Sequence, residues 1–475
     1  MKGLLIEDAE VAGARVSLRI QDGRILALGP DLVAQAGEER LSAEGGALLP
    51  GLHDHHIHLL ALAASFASVE CGPPAIHAKA ALGNALARAG RHAARDGNPP
   101  GWVRGIGYHE SVAGPLDRHR LDALAAEFPV RIQHRSGALW ILNSAALTTL
   151  ELETSGPLPD GVERGADGRL TGRMYRVDTW LRERLGGTVP PRLNAVGQDL
   201  ARLGVTGVCD ATPGNGPAEL AHFSAAAASG DLPQRLRVMG GLALPEPEQP
   251  RVERGALKIM LDENALPPEA ELVPLIDQAH AQGRGVAFHC VTRAELVVAA
   301  AGLEVAGASA RDRIEHASLA PPEIVALLAR LGVTVVTQPN FLLERGDRYR
   351  REVHPRDQPW LYRGQGFIEA GVPLGGGTDA PFGRCDPWAA MRAAVHRRSA
   401  EGAPLQLHES LTPEAALALF TSDLACPGQP RGPLAPGQPA DLVLLDRPWA
   451  AARKRLDPAD VRATFIAGHR VWDRA

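Results

Sequence analysis

The chain has few cysteines: Cys71, Cys209, Cys290, Cys385 and Cys426 are odd in number and widely scattered. No CxxC spacing occurs, which argues against a disulfide framework or a zinc knuckle and leaves reduced, buried thiols as the expectation. Long apolar runs are equally scarce. The most apolar stretch, residues 59–69, is about half the length needed to cross a bilayer. The N-terminus, Met1-Lys-Gly-Leu-Leu-Ile-Glu-Asp8, turns acidic at once, so no signal peptide is expected and the cytoplasm is the expected compartment. Charge of one sign is also missing: the formal net charge is −5 over 475 residues. Neither nucleic acid nor an anionic membrane has an electrostatic reason to bind. Repeats and low-complexity tracts are absent. A small-molecule partner fits this balance, and symmetric homo-oligomers are the common assemblies of such enzymes.

What is present is an alternation of segments. Apolar, β-rich runs at 48–58, 204–212, 236–242, 256–262, 285–290, 313–318, 333–339 and 373–379 each end on a polar residue, and Ala/Leu-rich helical stretches separate them. Continuous apolar strands divided by helices predict a parallel sheet buried on both faces. Eight of them predict a closed (β/α)8 barrel of the TIM type over residues 50–424. The termini read differently. Residues 16–20 and 24–28 flank a Gln21-Asp22-Gly23 turn, and 441–446, 463–467 and 470–472 form a similar series of short strands. Residues 1–49 and 425–475 are therefore expected to build one small β-sandwich from both ends of the chain. The gap between the first and second barrel strands is too long for a crossover. It is read as an insertion over roughly residues 70–195, with a strand of its own at 130–134.

Polar residues at the strand ends carry the chemistry. In Asp54-His55-His56-Ile57-His58, residues two apart share a face, so His56 and His58 can turn towards one metal while His55 faces the helical layer. Lys258 stands in Leu257-Lys258-Ile259-Met260, where a lysine is costly unless something uses it. His289 and His316 end the fifth and sixth runs, and Asp379 ends the eighth. Each has an ordinary alternative, as a packing histidine, a snorkelling lysine or a helix cap. Side chains from five strands of one barrel converge only at its mouth, and that conjunction favours a catalytic centre.

Pro50-Gly51-Leu52-x-Asp54-x-His56-x-His58, followed by Lys258, His289, His316 and Asp379, resembles the signature of the amidohydrolase superfamily. Gly105-Ile-Gly107-Tyr108, Leu121-Asp122, Asn143-Ser144-Ala-Ala-Leu147, Thr171-Gly172, Gly204-Val-Thr206, Gln338-Pro339, Thr378-Asp379-Ala-Pro381 and Ala440-Asp441-Leu442-Val443 are similar to its amidohydrolase-3 (YtcJ-like) branch. That branch includes N-substituted formamide deformylases, and the similarity spans nearly the whole chain. Three places depart from it. Asp262-Glu263-Asn264 stands where an acidic-Gly-Ser is common, Cys290-Val-Thr-Arg293 where a Gly-Asp pair is common, and Ala138 where a histidine often precedes the Asn-Ser motif. The metal shell matches and the substrate shell differs, so no substrate is carried over.

The resemblance implies two divalent metal ions. His56, His58 and Asp379 would hold the more buried one, and His289 and His316 the outer one, with Lys258 bridging both after carboxylation by CO2. Zinc is the default for nitrogen and oxygen ligands, with manganese, iron and cobalt as alternatives. Metal-activated hydroxide would cleave an amide-type C–N bond in an amide, N-acyl, formamide, urea or carbamate group, with Asp379 shuttling the proton. Tyr108, His109, Trp140, Arg173 and Tyr175 in the insertion, and Gln338, Asn340 and Phe341 past the seventh strand, are the candidates for lining the substrate pocket. Two rivals are weighed. A mononuclear deaminase of the same superfamily would need a His-x-x-Glu shuttle, whereas Glu295 lies six residues beyond His289. A non-catalytic scaffold, like the dihydropyrimidinase-related proteins, would be expected to have lost ligands that are all retained here.

Overall fold

The computed structural model describes residues 3–73, 75–95, 101–154, 156–186 and 190–474. The chain divides into two compact units, Met1–Leu59 with Arg192–Ala475, and Leu60–Pro191.

The first unit contains an eight-stranded, all-parallel sheet. Its strands are β1 (Leu52–Ile57), β2 (Val205–Asp210), β3 (Arg235–Gly240), β4 (Val252–Met260), β5 (Val286–Cys290), β6 (Arg313–His316), β7 (Thr334–Thr337) and β8 (Leu374–Gly376). Each pairs with the next in sequence. Every residue of β1, β2, β6, β7 and β8 is buried, as strands covered on both faces must be. Helices Pro217–Ser229, Glu269–Ala281, Arg293–Ala306, Pro322–Leu331, Asn340–Glu352 and Pro387–His396 return the chain between strands or follow the last one. Beyond β8 the ring closes onto β1: Asp379 N donates to His56 O at 2.8 Å, and His58 N to Ala380 O at 2.9 Å. This (β/α)8 closure needs a glycine at position 377, because a Cβ there would lie 2.5 Å from the Cβ of His56.

All eight expected strands are present, with one difference at the first. Leu48–Pro50 is not part of the barrel. It pairs with Leu442–Leu445 in a terminal sheet, and the chain changes partner at Gly51, whose N–H goes to Asp441 O while Leu52 N goes to Gly204 O. A continuous apolar run hides such a change of partner, since both sheets bury it.

Two four-stranded sheets flank the barrel sequence. One joins Leu4–Val11, Ala14–Gln21, Arg24–Gly29 and Glu39–Ser42; the other joins Leu48–Pro50, Leu442–Leu445, Val461–Ile466 and His469–Asp473. Leu4, Ile6, Leu18, Ile20 and Ile25 from the first share one apolar core with Leu48, Leu442, Leu444 and Phe465 from the second. The second unit carries a six-stranded mixed sheet. Its strands Val69–Glu70, Val103–Tyr108 and Val130–His134 are parallel, and Leu139–Leu142, Leu170–Tyr175 and Val162–Arg164 continue it antiparallel. Among the described residues, no helix is long and apolar enough to cross a membrane.

Candidate metal centre

The C-terminal ends of β1, β4, β5, β6 and the turn after β8 bring their polar side chains together. On β1 the alternation expected from the sequence holds. His55 points outward, its Nε2 2.9 Å from Ser422 Oγ, and His53 Nδ1 lies 2.9 Å from Ser422 O. His56 and His58 point the other way, towards Asp379, whose Oδ1 is 3.5 Å from His56 Nε2 and 3.1 Å from His58 Nε2. His316 Nε2 lies 3.0 Å from His289 Nδ1, and the His56 and His316 rings are 4.8 Å apart between centroids. Among the described residues, His56, His316 and Asp379 form the group whose ligand atoms all lie within 4.8 Å of one another.

Two of these residues sit in a backbone conformation that L side chains rarely adopt. His316 has φ of 69° and Asp379 φ of 56°. The turn at His316 matters, because on a regular strand Glu315 and His316 would face opposite sides. Here both reach His56: Glu315 accepts from its Nδ1, and His316 packs against its ring. Such outliers cluster where the surrounding structure pays for strain in the service of a site.

Three of the four imidazoles are fixed from behind. His58 Nδ1 is 2.8 Å from Thr212 Oγ1, His316 Nδ1 is 2.6 Å from Gln338 Oε1, and His56 Nδ1 is held by Glu315. Glu315 in turn accepts from Nε and Nη2 of the Arg313 guanidinium, which also donates to His55 O at 2.7 Å. Behind β1, Asp54 accepts from Thr378 N at 3.0 Å, Thr378 Oγ1 at 2.5 Å and His56 N at 3.2 Å, tying the β1 end to the Asp379 turn.

Burial sets the charge states. It holds His289 well below the usual imidazole value, lowers His56 and pushes His316 down to about 3, leaving neutral rings with lone pairs to offer. Burial works to raise the Asp379 carboxyl, but the His58 hydrogen bond and the neighbouring imidazoles outweigh it and keep it ionised. Lys258 is 6% exposed, its pKa is lowered by burial, and its Nζ has no hydrogen-bond partner. Its charge acts on His56, His289 and His316, so it belongs to the same cluster.

This donor set fits a divalent cation. Imidazoles and an ionised carboxylate converge, and the far nitrogens of His56, His58 and His316 are tied to oxygen atoms, which is the arrangement that orients metal-binding histidines. Residues 40–472 match the Amidohydrolase family (Amidohydro_3). The chain belongs to this family. Membership makes it a hydrolase of carbon–nitrogen bonds from a metal-dependent superfamily. The N-substituted formamide deformylase of Arthrobacter pascens is 27% identical over 544 aligned residues, covering 100% of this chain and 99% of that protein. YtcJ of Bacillus subtilis (strain 168) is 25% identical over 505, covering 92% of this chain and 91% of its own. An uncharacterized metal-dependent hydrolase from Pyrococcus horikoshii OT3 has the same fold, with a TM-score of 0.74 at 22% identity, covering 99% of this chain and 100% of its own.

The remaining candidates of this amidohydrolase occupy varied positions. Gln338 is buried behind His316, where it orients the ring. Asn340 is buried and donates to Thr378 O at 3.0 Å, and Phe341 lies under the Arg345 guanidinium. In the second unit, Tyr108 is fully buried with its hydroxyl donating to Gly114 O, and Trp140 packs inside with Nε1 on Asp178 at 2.8 Å. His109 caps a short helix and lies 3.9 Å from Glu110. Arg173 donates to Leu116 O and to the hydroxyl of half-exposed Tyr175. Glu295, the residue a deaminase reading would examine, accepts from the N–H groups of Val291, Thr292 and Glu263, and so serves as a helix cap. Arg313, Glu315 and Thr212 are given no role by the sequence, and Asp54 only a place in the His56–His58 signature. Glu315 had a readable signal, since a carboxylate beside a strand-end histidine in an apolar run is as costly as Lys258.

Proposed function

We propose that this amidohydrolase cleaves an amide-type C–N bond, in an amide, formamide, N-acyl, urea or carbamate group, at a binuclear centre. His56, His58 and Asp379 would hold one cation, His289 and His316 the other, and carboxylated Lys258 would bridge them. The observation that carries this reading is the Lys258 amine, buried without a hydrogen-bond partner near His56, His289, His316 and the carboxylates of Glu315 and Asp379. A bare ammonium is expensive there, whereas a carbamate supplies an anionic two-oxygen ligand in its place.

Two divalent ions bound in such a centre supply Lewis-acid polarisation of a carbonyl and acidify water near neutral pH. The chain's own residues do the rest. Asp379, kept ionised and 3.1 Å from His58 Nε2, accepts the proton of the attacking water and returns it to the departing nitrogen. Glu315, Thr212 and Gln338 hold three rings in one orientation, so that little reorganisation accompanies attack.

Hydrolysis of a panel of N-substituted formamides, N-acyl amines, ureas and carbamates by the metal-reconstituted protein tests the proposal. Turnover of at least one class, abolished by His56→Ala and by Asp379→Asn with the fold retained, is the expected result. Near-normal turnover in either variant would contradict it.

A further inference from the structure

The helix Asn340–Glu352 starts at the C-terminal end of β7, where a barrel presents its reactive face. Arg345 on this helix carries a guanidinium with unusual company. Its Cζ lies 3.8 Å from the centroid of the Phe341 ring, and its Nη2 donates to Phe382 O at 2.6 Å. Phe382 belongs to the turn that carries Asp379: its N–H goes to Asp379 O at 2.8 Å, and its ring meets the His58 ring edge-on at 5.3 Å. One backbone carbonyl therefore fastens the guanidinium to the segment holding the proton-shuttling carboxylate.

No carboxylate completes the pair. Among the described residues, Arg345 makes no ion pair, and its other N–H groups carry no hydrogen bond. The adjacent Glu344 is used elsewhere, accepting from Arg384 N at 3.0 Å and Asn340 Nδ2 at 3.3 Å. Burial opposes the charge, yet Tyr349, Tyr362, Asp379 and Glu344 together keep Arg345 firmly protonated. A partly buried guanidinium held on an aromatic face, with one of its five donors used, presents a fixed fork. Planar anions with two oxygens match that fork, and the pairing is stronger than one between neutral groups. Two buried arginines elsewhere are satisfied, Arg313 on Glu315 and Arg397 on the carbonyls of Leu361, Tyr362 and Leu405, whereas Arg131 and Arg348 each keep a buried Nε–H without a hydrogen-bond partner.

We infer that the substrate of this amidohydrolase carries a carboxylate, and that Arg345 binds it while the amide lies over the His58–Asp379 side of the centre. The substrate class is thus a carboxylated amide of the N-acyl amino acid type, with the partly buried Phe382 offering an apolar wall to the part between amide and carboxylate. This rests on the hydrolase reading above, but it can fail separately from it.

The test uses matched pairs of compounds: N-formyl- and N-acetylphenylalanine, each compared with the 2-phenylethyl amide that lacks the carboxylate. Binding to the full-length, metal-loaded protein is measured by titration calorimetry, and hydrolysis by steady-state kinetics. The carboxylated member should bind about 10- to 100-fold more tightly, the range of a charge-assisted pair. Arg345→Leu should erase that ratio through KM, and Arg345→Lys should restore only part of it. Equal binding of both members, or an unchanged ratio in Arg345→Leu with unaltered melting temperature, would overturn the inference even if amides are cleaved. If the ratio and its loss are found but no amide is cleaved, the anion site stands and the hydrolase reading falls.

Discussion

The Glu315 carboxylate lies against Nδ1 of His56, with the two side chains 0% and 1% exposed. Arg313 also grips that carboxylate, so a buried cation, anion and imidazole stand in line behind the His56 Nε2 that faces Asp379. Removing the middle member leaves an uncompensated guanidinium in the interior. Glu315→Ala is expected to cost about 3–5 kcal/mol in unfolding free energy. Glu315→Gln keeps the shape but loses the charge, and should weaken metal retention by roughly 10- to 100-fold. Denaturant melts and chelator competition check the two effects; wild-type metal affinity in Glu315→Gln would deny this residue its orienting role.

Thr212 and Gln338 do for His58 and His316 what Glu315 does for His56. Neither Thr212 nor Gln338 carries a charge, so Thr212→Val and Gln338→Leu should each lower stability by only about 1 kcal/mol. Metal affinity should suffer more than stability, because the ring loses its fixed tautomer and orientation. Equilibrium dialysis against a series of zinc buffers, beside thermal melts, separates the two readouts.

The barrel was legible because parallel strands covered on both faces must be continuously apolar, and any polar residue among them stands out. His56, His58, Lys258, His289, His316 and Asp379 stand out in the sequence in this way. Glu315 was passed over because strand alternation assigns it to the face opposite His316. The positive φ at His316 that brings both to His56 leaves no mark on composition or period. Gln338 was read as a pocket residue because its loop borders the mouth, and only coordinates reveal that its amide is spent on His316. Tyr108 and Trp140 illustrate the same limit, since a strand aromatic reads alike whether its polar atom faces a ligand or, as here, a carbonyl or carboxylate of the protein.

Gly377 is the narrowest point of barrel closure, with the β1 backbone and the His56 Cβ where its own Cβ would stand. Gly377→Ala must push β1 and the turn after β8 apart. The expected cost is about 1–3 kcal/mol from overpacking, together with loss of activity as His56 and Asp379 separate. Thermal melts and hydrolysis rates of the variant measure both; wild-type activity would mean the closure is slack.

Glu409 supplies a pH-dependent brace away from the centre. Its carboxylate is 1% exposed and accepts from Gly364 N at 3.0 Å, Gly366 N at 2.8 Å and Arg363 Nε at 2.7 Å. Burial works to raise its pKa, but these donors win and lower it below the usual 4.5. A carboxylate lowered on folding contributes stability that is complete above its unfolded pKa and is lost as pH falls through the folded value. Glu409→Gln should therefore be less stable than wild type at neutral pH, with the difference shrinking below about pH 4.5. Urea melts from pH 7 to pH 3 would show it, and a constant difference across that range would count against the brace.

The central proposal is that Lys258 is carboxylated and joins two cations. It is tested most directly by counting metal in active protein by mass spectrometry while recording a carbon-13 spectrum after exchange with labelled bicarbonate. The account predicts two divalent ions per chain and a carbamate resonance that disappears, along with most activity, in Lys258→Ala. One ion per chain at full turnover, or no carbamate resonance in active enzyme, would contradict it.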